Sequence, residues 1–387
     1  MTLTREENER LSRVGPGTPM GELLRRYWHP IAPVTELSDE QPTRFVRILG
    51  EDLVLWKDKS GNVGLIQDHC AHRGASLMYG RVEERGISCA YHGWLFNTAG
   101  DCLECPAEPA GSLFHLTVKV RAYPVRKFIG LYWAYLGPLP APEIPHYDVW
   151  ARTDGRRTID VYPRLDCNFL QAMENSADPA HLMVLHQATA FGNRVPPSTT
   201  RGFTDDVESF TFEEAPFGLW KDRTYVNGKT ERHPVIFPNI LRVGDQTQFR
   251  VPMDDTHTQV FFVHFMPGEV GSDDDVPVEY IEQFKDPVGG MHPFVKMRMD
   301  LTLAQDHMAW ETQGPIADRE HERLATTDRG VVMLRQMFFR EIEKVERGED
   351  PLGVVRDPNH GIIDTNLQHT LEFGGSVPTF ATTAANV

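Results

Sequence analysis

Two pairs of residues stand out as able to do chemistry: Cys70 with His72, and Cys89 with His92. Each pair offers one thiol and one imidazole, and sixteen residues, Arg73 to Ser88, separate His72 from Cys89. Two Cys and two His can hold a tetrahedral zinc ion. They can equally hold a [2Fe–2S] cluster in which two His replace two Cys on one iron and raise the reduction potential. Spacing leaves both open. Further along, His181 and His186 lie five residues apart. A straight helix would set them about 140° from each other, so they converge on one metal only if the helix ends or distorts between them. This differs from the four-residue spacing of helical zinc proteases. Asp178 precedes His181 by three residues, on the same helical face. Asp178-Pro179 also reads as an N-cap followed by Pro at the first helical position. A third stretch, Ala304 to Gln313, carries Asp306, His307 and Glu311. Two His and one carboxylate on one face of an iron leave positions open for oxygen and substrate, but with 55 acidic residues composition cannot choose the carboxylate.

Local patterns give the elements that must carry these residues. Arg5 to Val14 favours helix, Gly15-Pro16-Gly17 breaks it, and Met20 to Tyr27 reads as a second short helix ended before Pro30. Tyr27 and Trp28 are placed to anchor this arm on the body. From Arg44 to about Gly137 the texture is β. Phe45–Leu49 and Leu53–Trp56 read as strands about a turn at Gly50-Glu51-Asp52, followed by a hairpin turn at Lys59–Asn62. Val63–Ile66 leads into the first Cys/His loop and Gly86-Ile87-Ser88 into the second, so a small antiparallel domain carries its metal on two hairpin tips. The apolar run Phe128–Leu136 reads as a buried strand and is too short to span a bilayer. The Pro-rich stretch Gly137–Pro145 cannot be regular structure and marks a linker. Beyond it strand-like pieces (Phe210–Phe212, Gln259–Phe265) alternate with helices. The clearest helix runs from Arg329 to Arg347, with Val332, Met333, Phe338, Ile342 and Val345 as a core-packing face, and Gly348 and Pro351 stop it. Gly375 to Val387 reads as loosely ordered.

The chain has 387 residues, room for two domains. The expected division is an N-terminal helical arm (1–42), a metal-cluster domain (43–140) and a second domain (141–387). Hydrophobic residues make up 40% and charged residues 24%, a globular balance. With a net charge of −16 and no Lys/Arg stripe, nucleic acid and anionic membranes are excluded as expected partners. The polar N-terminus, Met1 to Arg13, shows no secretory signal. Five cysteines, two of them assigned to a metal, argue against a disulfide framework and for a reducing cytoplasm. Cys102-x-x-Cys105 looks like half a zinc site without its second pair, and reads as two ordinary thiols on a turn.

The loops Cys-x-His-Arg-Gly and Cys-x-Tyr-His-Gly-Trp resemble the cluster-binding loops of Rieske proteins. The chain as a whole resembles an α subunit of the Rieske non-heme iron oxygenases, in the branch of phthalate dioxygenase-like aromatic-carboxylate dioxygenases and O-demethylating monooxygenases. The resemblance is carried by Arg13-Val14-Gly15-Pro16-Gly17-Thr18-Pro19-Met20-Gly21, Arg26-Tyr27-Trp28 and Gly314-Pro315-Ile316-Ala317-Asp318-Arg319, and spans about residues 10 to 345. It implies an α+β fold: a small antiparallel Rieske domain joined to a catalytic domain with a curved antiparallel sheet gripping helices (START-like). It implies that Cys70, His72, Cys89 and His92 ligate the cluster. His181, His186 and Asp306 would ligate a mononuclear Fe(II), with His307 and Asp300 as weaker rivals to Asp306. Asp178 would bridge the centres, bonding His181 of its own subunit and His92 of a neighbour in a homotrimer or stacked hexamer. The partners implied are a small aromatic substrate, O2, and a separate flavin/iron–sulfur reductase passing electrons from NAD(P)H. The chain has no Gly-x-Gly-x-x-Gly fingerprint of its own for the nicotinamide.

The expected reaction is hydroxylation or dihydroxylation of an aromatic carboxylate or aryl ether, with O- or N-demethylation as the alternative. A Rieske electron carrier without oxygen chemistry and a zinc-bearing binding protein are the readings from other classes. Colour and EPR separate them, since a zinc protein is colourless. Candidate pocket liners are Phe191, Phe203, Phe237, Ile240, Leu241, Phe249 and Trp310, each of which also fits a core. Arg242 and Arg250 could receive a substrate carboxylate, or be held in salt bridges.

Overall fold

The computed structural model describes residues 2–186, 207–285, 297–299 and 301–365. Phe191, Phe203, Asp300 and the C-terminal stretch from Gly375 lie outside the described residues. The first helix, α1 (Arg5–Ser12), starts from Thr4 in a capping box with Glu7. Helix α2 (Pro19–Leu24) is capped by Thr18 and is three residues shorter at its C-terminal end than the pattern suggested, because Trp28–Pro33 forms strand β1. The chain then runs β2 (Thr43–Ile48), β3 (Glu51–Lys57), β4 (Val63–Gln67), β5 (Arg81–Val82), β6 (Ile87–Ser88), β7 (Leu95–Phe96), β8 (Cys102–Glu104), β9 (Ala122–Tyr123), β10 (Val125–Phe128) and β11 (Leu131–Tyr135). After the Pro-rich stretch come α3 (Asp148–Ala151), β12 (Gly155–Val161), α4 (Phe169–Ser176), β13 (Val207–Ala215), β14 (Gly218–Tyr225), β15 (Thr230–Ile236), β16 (Ile240–Val243), β17 (Gln246–Asp254), β18 (His257–Pro267), β19 (Val278–Tyr280), α5 (Thr302–Glu311) and α6 (Arg329–Glu346).

Two four-stranded antiparallel sheets, β2-β3-β4-β9 and β5-β6-β7-β8, carry the Cys/His loops. A three-stranded sheet, β1-β11-β10, includes the run expected as one buried strand: Leu131–Tyr135 is the buried strand β11, entered from β10 through the turn at Ile129-Gly130. The largest sheet has eight strands in the order β13-β14-β15-β16-β17-β18-β12-β19 and is antiparallel except for β12 with β19. Helices α4 and α6 pack on it. These sheets and few helices make an α+β fold, as expected. No helix among the described residues is long and apolar enough to cross a membrane.

The turn between β2 and β3 falls at Leu49-Gly50, one residue earlier than expected, with φ 49° and 75°. Two central residues with positive φ match the twist of a two-residue hairpin. The turn is bonded to the large sheet: Leu49 N–H donates to Pro252 O (3.0 Å) and Gly50 N–H to Met253 O (2.9 Å). Arg47 bridges Asp52 and Asp254, and buried Arg25 pairs with buried Glu51. Tyr27 and Trp28 anchor the arm as expected: Tyr27 Oη donates to Leu352 O and Trp28 Nε1 to Pro142 O. One apolar core runs from Leu3 through the arm and the large sheet to Val345 on α6, while a second, around Trp56, Ile87 and Phe96, backs Cys70 and Cys89.

Candidate active site

The two Cys/His loops are closed in the same way. Cys70 N–H donates to Ala75 O and Gly74 N–H to Cys70 O; Cys89 N–H donates to Trp94 O and Gly93 N–H to Cys89 O. Gly74 and Gly93 close each turn at φ 74° and 75°, where a side chain would be strained. Thiols and imidazoles separate: Cys70 and Cys89 are buried side by side, and burial pushes the Cys70 thiol up to about 11. The Nδ1 atoms of His72 and His92 face each other at 3.1 Å nearer the surface. The four ligand atoms do not gather within 4.8 Å of one another as the ligands of a single ion would. A thiol pair and an imidazole pair held apart suit a binuclear cluster with Cys on one iron and His on the other, and not a single tetrahedral zinc. Trp94 stacks on His72 (4.5 Å), and Phe114 packs edge-on against Trp94. Cys102 lies in β8, not on a turn, with its Sγ 3.6 Å from that of Cys105.

The second site forms where α4 stops. Asp178-Pro179 ends the helix, since Pro cannot continue its hydrogen bonds, and His181–Met183 turns as a short 3-10 segment. The distortion required for residues five apart to converge is therefore present, and the His181 and His186 rings lie 5.4 Å apart. Asp306 reaches them from α5: its Oδ1 is 3.3 Å from His186 Nε2 and 3.8 Å from His181 Nε2. Among the described residues these three form the set of potential metal ligands within 4.8 Å of one another. Asp306 Oδ1 is buried without a hydrogen-bond donor. A carboxylate oxygen left so is costly unless a cation satisfies it. The residues fit a 2-His-1-carboxylate metal ion.

Asp178 divides its two oxygens. Oδ1 accepts the Ala180 N–H (2.7 Å), the capping role, while Oδ2 lies 3.5 Å from His181 Nδ1, behind the imidazole whose Nε2 faces Asp306. Burial alone would raise its pKa, but His181, the Ala180 N–H and Lys221 hold the carboxyl below its ordinary value.

Sequence reasoning missed three supporting residues. Gln305 Nε2 donates to Met299 O (2.8 Å), which turns Oε1 toward His186 Nδ1 at 2.8 Å. An amide oxygen only accepts, so His186 carries its proton on Nδ1 and keeps the Nε2 lone pair for a metal. Gln171 on α4 clamps the two ligand-bearing segments: its Nε2 donates to Trp310 O and Gly314 O, and its Oε1 accepts from Ala317 N–H. Lys221 on β14 is buried and donates to Ser176 O at the end of α4 (2.7 Å). Its signal was a lysine on the inward-alternating face of a strand. Gln305 left no pattern to find.

Other candidates fall away. His307 points into the aromatic cluster of Phe284 and Trp310, where burial pushes it down to about 3. Arg242 is held by Asp148 (2.8 Å) and Thr365. Phe237, Ile240, Leu241 and Phe249 belong to the main core. Trp310 belongs to a separate small cluster with Leu165 and Phe262, and Arg250 lies over its ring.

Comparison with known proteins adds to this geometry. Residues 27–124 match the Rieske [2Fe–2S] domain family, and residues 299–365 the family described as LigXa C-terminal domain like. The 5,5'-dehydrodivanillate O-demethylase oxygenase subunit of Sphingobium sp. is 41% identical over 371 residues, 92% of this chain and 84% of that one. The phthalate 4,5-dioxygenase oxygenase subunit of Pseudomonas putida is 32% identical over 399 residues, 91% and 89% of the two chains. The solved structure of NdmA from Pseudomonas putida superposes with a TM-score of 0.62 at 22% identity, covering 88% of this chain and 98% of that one.

Proposed function

The chain belongs to the Rieske non-heme iron oxygenases as an oxygenase (α) subunit, and from that premise we propose that it hydroxylates or dihydroxylates an aromatic carboxylate or aryl ether with O2 and reductase-supplied electrons. Its cofactors are a Rieske [2Fe–2S] cluster and a mononuclear iron. Cys70, His72, Cys89 and His92 would hold the cluster, and His181, His186 and Asp306 the iron. The observation that carries the reading is the orphaned Asp306 Oδ1 facing two imidazole Nε2 atoms. O-demethylation is the second reading, favoured by the 41% identical relative that is an O-demethylase.

When bound, the cluster supplies single electrons, and the iron supplies oxygen activation with open coordination positions. The protein's part is positioning. Gln305 fixes the His186 tautomer, Gln171 holds α4 against α5, and the buried aromatic wall of Phe284, His307 and Trp310 keeps water from the reacting centre. Asp178 orients His181 and, in a head-to-tail homotrimer or stacked hexamer, would meet His92 of the next subunit. Exposed Tyr91, Leu113, Phe114 and Leu116 at the cluster end support such packing. The reading also places the cluster domain at 43–140, the catalytic domain at 141–387, a flavin/iron–sulfur reductase as partner, and the enzyme in the cytoplasm.

The test is oxygen uptake with a surrogate reductase and NAD(P)H across aromatic acids and aryl ethers, with product identification. Uptake should be coupled to an oxygenated or demethylated product and vanish in His181→Ala while the red-brown cluster remains. Coupled uptake that survives His181→Ala would sink the iron assignment.

A further inference from the structure

Of the five cysteines, Cys105 alone is not buried. Cys70 and Cys89 belong to the cluster loops, and Cys167 is sealed in the small core beside Trp310. Cys102 and Cys105 remain as a pair that the oxygenase chemistry does not use. Cys102 sits in β8 opposite Phe96 of β7, and its N–H donates to Val118 O (3.1 Å). Cys105 follows the strand and opens a turn, its carbonyl accepting the Glu108 N–H (3.0 Å). The two sulfurs lie 3.6 Å apart. Among the described residues no third His, Cys, Asp or Glu joins them to complete a metal site.

The turn that Cys105 opens abuts the second cluster loop. A Cβ on Gly93 would stand 3.1 Å from Pro106 Cγ. Pro106 directly follows Cys105, and Gly93 lies between His92 and Trp94. A disulfide needs its sulfurs about 2.0 Å apart. Cys102 is fixed by its sheet and by the core around Trp56 and Ile87. Cys105 therefore makes the move, and carries Pro106 with it at Gly93. Burial holds both thiols above their ordinary range, Cys102 up to about 12. Such thiols attack slowly. They are also poor leaving groups, so a disulfide between them resists reduction once made.

We propose that Cys102 and Cys105 are a redox-modification site, oxidised by hydrogen peroxide to an internal disulfide that alters the second cluster loop through Pro106 and Gly93. The half-buried Cys105, as thiolate, attacks one peroxide oxygen; the O–O bond breaks, hydroxide leaves and takes up a proton to become water, and a sulfenic acid remains. The Cys102 sulfur then attacks the Cys105 sulfur; the S–O bond breaks, and the hydroxyl departs with the Cys102 proton as a second water. Two thiols lose two electrons and two protons, and one peroxide becomes two waters. Peroxide is the two-electron reduction product of O2. Its release by this enzyme's own reaction rests on the oxygenase reading; the chemistry of the pair does not.

The test treats the anaerobic holoenzyme with a few equivalents of hydrogen peroxide, alkylates the remaining thiols with iodoacetamide and maps the peptides by mass. The peptide carrying Cys102 and Cys105 should be unalkylated and lighter by two hydrogens, and should take two alkyl groups after dithiothreitol. The visible circular dichroism of the oxidised cluster should shift with disulfide formation and recover with dithiothreitol. In Cys105→Ser peroxide should leave that spectrum unchanged. Cluster absorption and melting temperature report folding, and should Cys105→Ser lose its cluster, Cys102→Ala takes its place. Both thiols still alkylated after peroxide, oxidation to sulfonic acid alone, a disulfide with an unchanged cluster spectrum, or an equal spectral change in Cys105→Ser would each overturn the proposal. Peroxide is added as a reagent, so a disulfide that forms in protein without coupled oxygen uptake would keep the site and sink only the oxygenase reading.

Discussion

Replacing Gln305 by Met keeps the length of the side chain and removes both of its polar contacts. In the wild type, Gln305 is fully buried, donates to Met299 O and accepts from His186 Nδ1, both at 2.8 Å. Without the acceptor, the Nδ1–H of a buried imidazole has no partner, which costs about 1–3 kcal/mol. The tautomer with the proton on Nε2, the atom that faces Asp306, is no longer disfavoured. Loss of such an orienting partner lowers metal affinity by about 10- to 100-fold, equivalent to about 1.4–2.7 kcal/mol. The assay is anaerobic Fe(II) titration of protein stripped of its mononuclear iron, with cluster absorption as the internal control for folding. The stability cost is read separately from melting of the iron-stripped protein. Wild-type iron affinity in Gln305→Met would refute the assignment of the His186 tautomer and with it the argument that Nε2 is the ligating atom.

Two further outcomes follow from the site's supports. Asp178→Asn removes the charge behind His181 and should lower coupled oxygen uptake by at least tenfold with iron and cluster contents intact; unchanged coupling would show that capping is its whole role. Glu174 on α4 is buried between Arg319 (2.7 Å) and Arg335 (2.7 Å); Arg335 keeps Glu322 as a second carboxylate, so Glu174→Gln leaves the buried Arg319 guanidinium without one and should destabilise the fold by about 3–5 kcal/mol in urea titrations at pH 7. Burial alone would raise the Glu174 pKa, but the two arginines hold it below its ordinary 4.5. A depressed acid stabilises the fold fully above its unfolded value and loses that contribution as pH falls through its folded value. The gap between wild type and Glu174→Gln should therefore narrow below pH 4.5; a gap constant with pH would contradict the pairing.

Local chemistry was legible in the sequence, and long-range placement was not. The Cys/His loops could be recognised because each is closed by its own backbone and glycine, within six residues. The requirement that a helix break between His181 and His186 followed from helix geometry, but the 3-10 segment His181–Met183 that meets it contains no Gly or Pro to announce it. The choice of Asp306 over other acids rested on resemblance, because nothing local distinguishes it until α5 is packed against α4. Gln305 was invisible for the same reason. Arg242 and Arg250 could not be separated in the sequence, since only the tertiary fold brings Asp148 to one and leaves the other beside Trp310. Phe237 and Phe249 were offered as pocket liners but pack on Phe338 and on Trp133, respectively, because apolar alternation does not say which neighbours a face will meet.

The hairpin tip at Leu49-Gly50 has a consequence for how the molecule comes apart. A leucine in the left-handed region is disfavoured by about 1–2 kcal/mol, yet here it presents its N–H to the backbone of β17 while Gly50 does the same one residue on. The sheet that carries the first Cys/His loop is thus sewn by main-chain bonds to the eight-stranded sheet, and Arg47, paired with Asp254, tightens the seam. Melting of either sheet breaks these bonds, so the two sheets are expected to unfold together. The visible colour of the cluster is then a gauge for the whole chain: bleaching in rising denaturant marks the loss of the large sheet as much as the loss of the metal loops themselves.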